Sequence, residues 1–126
     1  MSRRTGFTLI ELMVVLALVA LLASIAAPRY FHSVDRAKEA VLRDSLRTMR
    51  GAIDQYYADH ARYPDSLEAL ATRRYLRAVP LDPLTGRSDT WVVRTPPADA
   101  DVQEGVYDVG SGAPGAASDG TPYAQL

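Results

Sequence analysis

With 126 residues the chain has room for one small domain, and its 14 basic and 15 acidic residues leave a net charge of −1. That balance offers no bulk cationic surface to a nucleic acid, so none is expected as a partner. The absence of cysteine excludes a disulfide framework and any thiolate metal site.

The apolar residues are gathered at one end. Between Phe7 and Ala27 only Thr8, Glu11 and Ser24 are polar. As a helix rising ~1.5 Å per residue, this segment would measure about 31 Å, which matches the hydrocarbon core of a bilayer. Arg3 and Arg4 precede it, so the positive-inside tendency keeps the N-terminus cytoplasmic and sends everything after Ala27 across the membrane. A plain signal anchor and a secretory signal cut near Ser24-Ile25-Ala26 are the two simplest readings. Two features weigh against both. Glu11 lies inside the apolar run, where a carboxylate costs up to roughly 2.5–3.5 kcal/mol and gives a passive anchor nothing in return. An amphipathic pattern also follows at once, which a discarded signal would not need.

Pro28 removes a backbone donor from the continuing helix, so a kink or local unwinding is expected there. Leu42, Leu46, Met49, Ile53, Tyr56 and His60 then recur at spacings of four and three, with Val34, Ala37 and Val41 extending the stripe backwards. Arg43, Arg47, Arg50 and Asp54 fall on the outer face of this amphipathic helix. Unbroken from Phe7 to His60, it would be roughly 80 Å long. The stripe reads as core packing. His32 and His60 stand far apart without clustered carboxylates, and no nucleophile elbow or phosphate loop occurs, so no enzyme is expected.

Tyr63-Pro64 ends the helix, and Asp65-Ser66-Leu67-Glu68 opens a short one with a capping-box pattern in which Asp65 stands for the usual Ser or Thr. Its buried side would be Leu67, Leu70 and Ala71. Val79-Pro80-Leu81-Asp82-Pro83 must be extended, and Leu84-Thr85-Gly86 reads as a turn. Thr90–Arg94 and Val106–Val109 are strand candidates separated by a loop at Pro96-Pro97-Ala98-Asp99. The class is α+β: a long N-terminal helix packed on a small antiparallel sheet of two or three strands. The expected divisions are a leader at 1–6, a membrane segment at 7–27, its amphipathic continuation at 28–60 and a small globular region at 61–126.

Gly6-Phe7-Thr8-Leu9-Ile10-Glu11-Leu12-Met13-Val14-Val15 resembles the cleavage and methylation segment of type IV prepilins and type II secretion pseudopilins. The resemblance implies a pilin-like fold, cutting after Gly6 by a prepilin peptidase on the cytoplasmic side, and N-methylation of Phe7. It further implies that Glu11 neutralises the N-terminus of a neighbouring subunit during assembly. Pairing of Glu11 with its own Phe7 amine is the alternative at i,i+4 spacing. A glycine at the junction lets a protease approach the backbone closely.

Tyr63-Pro64, Leu67-x-x-Leu70, Tyr75-Leu76 and Pro80-x-Asp82-Pro83 are similar to the corresponding segment of the major pseudopilins of type II secretion. Leu84-Thr85-Gly86 departs from the Trp-Gly common there. In that family an acidic, Gly-rich C-terminal loop usually binds calcium, which would implicate Asp119, Asp108 and Ser111 here, although Pro114 stands where an acidic residue is expected. Two carboxylates with hydroxyls and carbonyls could just fill a Ca²⁺ shell of six to eight oxygens. The alternative is a solvated loop turning at Asp119-Gly120.

The resemblance thus implies a filament subunit of the pseudopilus that drives protein export. It would be a single-pass protein of the bacterial inner membrane with its C-terminus in the periplasm. Its implied partners are membrane lipid, its own copies, other pseudopilins, the peptidase and the inner-membrane assembly platform. A type IV pilin for adhesion, motility or DNA uptake is one alternative, and a membrane-anchored binding module that never polymerises is another.

Overall fold

The computed structural model of the protein describes residues 2–126. Five elements follow in chain order: α1 (Leu9–His60), α2 (Leu67–Thr72), β1 (Trp91–Arg94), β2 (Asp108–Ser111) and the 3₁₀ turn η1 (Tyr123–Gln125). By its contacts the chain divides into residues 2–35 and Arg36–Leu126. The first unit holds the residues before α1 and the start of α1 with its apolar run; the second is called the head below.

The helix α1 starts two residues later than the apolar run because Thr8 caps it. The Thr8 hydroxyl accepts the Glu11 amide at 3.1 Å, and the Thr8 carbonyl accepts the Leu12 amide at 3.1 Å. At the other end Ala61 adopts a left-handed φ of 53° and donates its amide to the Tyr57 carbonyl at 2.8 Å, which closes the last turn.

In the head, α1 supplies one wall of the core. Leu42, Leu46, Met49, Ala52, Ile53 and Tyr56 are buried, and they pack with Leu67, Leu70, Leu76, Trp91, Val106 and Val109. Burying each large aliphatic side chain contributes about 1.5–3 kcal/mol. The stripe therefore begins at Leu42 and does not extend backwards as expected. Val41 is 53 % exposed and Ala37 is exposed, because the chain that reaches this turn of α1 brings polar Ser118 and Asp119 to Glu39 and Arg43. The outer-face assignment also needs correction, since Arg43 and Arg50 both turn back onto the C-terminal segment.

Ser66, not Asp65, caps α2, accepting the Ala69 amide at 3.2 Å. Leu67 and Leu70 are buried beneath it and Ala71 is half-buried. Leu84-Thr85-Gly86 forms the expected turn: the Gly86 amide donates to the Asp82 carbonyl at 2.7 Å with φ at 70°. The two strands form an antiparallel ladder running from Trp91 opposite Ser111 to Arg94 opposite Asp108. The second strand lies two residues later than expected. The Val106 amide is committed to the Pro64 carbonyl at 2.8 Å, so Val106 is core but not ladder.

Trp91 anchors the sheet to the extended segment by donating its indole N–H to the Pro80 carbonyl at 2.8 Å. Gly105 lets the returning chain pass Tyr63: its φ is 98°, and a Cβ there would lie 2.8 Å from the Tyr63 Cβ.

Leu46→Ala is expected to lower the unfolding free energy by about 2–5 kcal/mol. Val41→Ala should change it by less than about 0.5 kcal/mol. Urea unfolding of the detergent-solubilised chain, followed by the fluorescence of the single tryptophan, separates the two; equal losses would mean that the core reaches Val41.

Candidate functional site

Two regions carry chemistry, and the first is the start of α1. Gly6 and Phe7 lie in irregular chain immediately before the helix. A Cβ built on Gly6 meets nothing within 4 Å, and Phe7 is 83 % exposed, so the junction is open to an enzyme. Glu11 occupies the first turn, where the helix dipole favours an anion. Among the described residues it has no ion-pair partner. Thr8 and Glu11 have capping-box spacing, so the sequence itself carries the signal for the helix start.

From Leu9 to Ile25 the large apolar side chains are exposed around the whole circumference of α1. This stretch is long and apolar enough to cross a membrane. The helix α1 runs unbroken through Pro28. Proline cannot donate to the Ser24 carbonyl, and nearby the Ser24 hydroxyl bonds the Ala20 carbonyl at 2.8 Å.

The second region is the C-terminal segment of the head, held to α1 by charged groups. The two oxygens of Asp108 take separate guanidiniums: Oδ1 accepts Arg50 Nε at 2.7 Å and Oδ2 accepts Arg94 Nη1 at 2.9 Å. Burial pushes the Asp108 carboxyl up, but Arg50, the Val109 amide and Arg94 outweigh it and hold it below the usual range. Arg50 Nη2 also donates to the carbonyls of Val109 and Leu126, at 3.0 and 2.6 Å, and Arg94 Nη2 donates to the Ala124 carbonyl.

Nearer the first unit, Arg43 bridges Glu39 at 3.0 Å and Asp119 at 3.3 Å. Glu39 accepts the Ser118 amide at 2.9 Å as well. Ser111 lies elsewhere. Its hydroxyl donates to the buried Asp82 Oδ2 at 2.5 Å and accepts the Ala113 amide at 3.1 Å. Asp108, Ser111 and Asp119 therefore answer to three different partners.

Residues 1–27 match the family model described as a prokaryotic N-terminal methylation motif. The chain is 34 % identical to the type II secretion system core protein G of Pseudomonas aeruginosa, covering 66 % of this chain and 71 % of that protein. It is 32 % identical to the protein of the same name from Klebsiella pneumoniae, again over 66 % and 71 %. This chain belongs to the core protein G family. A type IV major pilin of Neisseria gonorrhoeae is 41 % identical, but over 48 % of this chain and 37 % of that protein. No solved structure matches significantly.

For this core pseudopilin, the cation implied by the family resemblance is not met by a convergent oxygen set. Among the described residues no group of three or more carboxylate or imidazole side chains is arranged to hold a metal. Both oxygens of Asp108 are occupied by arginine. Asp119 accepts the Thr121 amide on Oδ1 at 2.9 Å and Arg43 on Oδ2. The donors expected for calcium do not fit it as they stand.

His60 ends the packed stripe in a cluster of aromatic and charged groups. Its ring stacks on Tyr56 with centroids 4.3 Å apart. Its Nε2 faces Arg73 Nη1 at 3.3 Å; a guanidinium only donates, so Nε2 accepts and Nδ1–H points to the Tyr56 carbonyl at 3.1 Å. The Tyr75 hydroxyl donates to Asp59 Oδ2 at 2.6 Å, and Gln55 donates to Oδ1 at 3.1 Å. These bonds hold the Asp59 carboxyl below its ordinary value, Tyr75 contributing most and burial acting in opposition.

A carboxyl depressed by folding stabilises the fold fully above its unfolded pKa, and that contribution disappears as pH falls through the folded value. Tyr75→Phe is expected to move the Asp59 midpoint upward in a carbon-13 NMR titration, while the Gln55 bond still holds it down. An unmoved midpoint would assign the depression to another group.

Proposed function

We propose that this chain is a structural subunit of the type II secretion pseudopilus, inserted as a precursor, cut after Gly6, methylated on Phe7 and then drawn into the filament. Family membership supports the filament role. What carries the detailed reading is the pairing of two features: a run of exposed large apolar side chains from Leu9 to Ile25, and Glu11 one turn from Phe7 without an ion-pair partner among the described residues.

An apolar surface exposed on every side has two stable destinations, lipid before assembly and other such helices after it. Tyr30 and Phe31 lie exposed just past the run, where aromatic rings favour the membrane–water interface. With Arg3 and Arg4 on the cytoplasmic side, the head occupies the periplasm. Cleavage leaves a cation at Phe7, and in a filament Glu11 of one subunit meets the amine of the next. A buried pair offsets its desolvation only when the geometry is good, so this contact would select the register of assembly. Pro28 gives the helix a place to bend without losing a bond that a neighbouring residue relies on. Loss of the leader removes Arg3 and Arg4 and makes the mature chain more negative than −1.

The peptidase, a cytoplasmic motor and the inner-membrane platform are the partners this route requires, and the route assigns the chain no catalysis. The 41 % identity to a Neisseria pilin favours a second reading, a surface pilus subunit. Deletion separates the two. Loss of protein secretion supports the pseudopilus, whereas loss of surface fibres with secretion intact supports the pilus.

Mass spectrometry of the chain from native membranes should find a methylated Phe7 at the N-terminus, and only when the prepilin peptidase is present. A chain starting at Met1 would mean a simple anchor, and one starting near Ala27 a secreted protein. Glu11→Ala should be processed normally yet form few filaments by electron microscopy. Normal filament yield would remove Glu11 from assembly.

A further inference from the structure

The family resemblance leads to calcium as the staple of a C-terminal loop that has no disulfide. The charged groups of this chain are arranged differently. Asp108 lies between two guanidiniums, at 2.7 and 2.9 Å, from α1 and β1. The same two arginines hold three carbonyls of the C-terminal segment, those of Val109, Ala124 and Leu126. One side-chain pair therefore ties α1, both strands and the final turn together.

The second tie is Arg43, held between Glu39 and Asp119, with the Ser118 amide and hydroxyl also donating to Glu39 at 2.9 and 3.2 Å. Arginine suits such a position because its planar fork makes several directed bonds at once and stays charged.

A dication would have to compete with these groups. At Asp108 it would displace two part-buried guanidiniums and leave both without their anion, which is the costly way to break an ion pair. At Asp119 it would find one carboxylate with Glu39 beside it, and Arg43 already between the two. Neither position supplies the six to eight oxygens that Ca²⁺ takes. We propose that this pseudopilin latches its C-terminal segment with guanidiniums, Arg50 and Arg94 on Asp108 and Arg43 on Glu39 and Asp119, and that its head folds without a divalent cation.

The test uses the full-length chain in detergent micelles, with thermal unfolding read from tryptophan fluorescence and loop order read from limited proteolysis. Millimolar calcium and a calcium chelator should give melting temperatures within about 1 °C of each other and the same proteolytic pattern. Arg50→Gln and Arg94→Gln should each lower the melting temperature by about 4–8 °C, and calcium should not restore it. Arg43→Gln should open residues 116–121 to protease at unchanged calcium. A saturable rise of the wild-type melting temperature with calcium, or chelator-induced cleavage of the wild-type loop, would overturn the proposal. So would arginine variants as stable as the wild type. If an arginine variant fails to fold, the wild-type comparison in calcium and chelator still decides.

Discussion

Everything in the head depends on the apolar stripe that α1 presents between Leu42 and Tyr56. Two strands of four residues each cannot stand alone in water, and neither can a helix of six. Each is stable here because it covers part of one pre-existing surface. Leu67 and Leu70 of α2, Trp91 of β1 and Val109 of β2 all meet that stripe. The stripe also explains why the irregular stretches hold their shape: the Trp91 indole bond to Pro80 and the Val106 amide bond to Pro64 fasten loops to elements that the helix already positions.

The same helix serves two solvents. From Leu9 to Ile25 it exposes large apolar side chains on all faces and suits lipid or a bundle of its own kind, while from Leu42 to Tyr56 it is apolar on one face and charged on the other. Glu11 and Thr8 mark one end of that span, with the cap fixing where helix begins and therefore how far Glu11 lies from Phe7. In the proposed route a residue that would be a liability in a passive anchor becomes useful, because cleavage creates a cation one turn away.

Much of this was legible in the sequence. The spacing from Leu42 to Tyr56 located the core, because a 3.6-residue period with no competing breaker has one reading. The Gly6–Phe7–Glu11 motif lies in the segment that matches the N-terminal methylation family model, and three chemically distinct requirements coincide there within six positions. The errors have physical causes. Ser66 and Asp65 are both good caps, and only the backbone decides between neighbours. Val106 is as β-prone as Val109, but its amide was claimed by Pro64. Arg50 and Arg43 looked like a solvated face because periodicity reports the apolar side of a helix and says nothing of what a distant loop brings to the polar side. The carboxylates of Asp108 and Asp119 show the same limit of a local pattern. Their partners lie 58 and 76 residues away in sequence, at Arg50 and Arg43.

Those separations have a kinetic meaning. The bonds that close the head join Glu39 to Ser118 and Arg43 to Asp119, across 79 and 76 residues. Contacts of such high sequence separation form late, after the entropy of closing a long loop has been met. The stripe from Leu42 to Tyr56 is covered by Leu67, Leu70, Trp91 and Val109, which lie nearer to it in sequence than Ser118 and Asp119 do, so the latch closes after the core. The apolar core is then complete while the segment around Ser118 and Asp119 is still open to solvent.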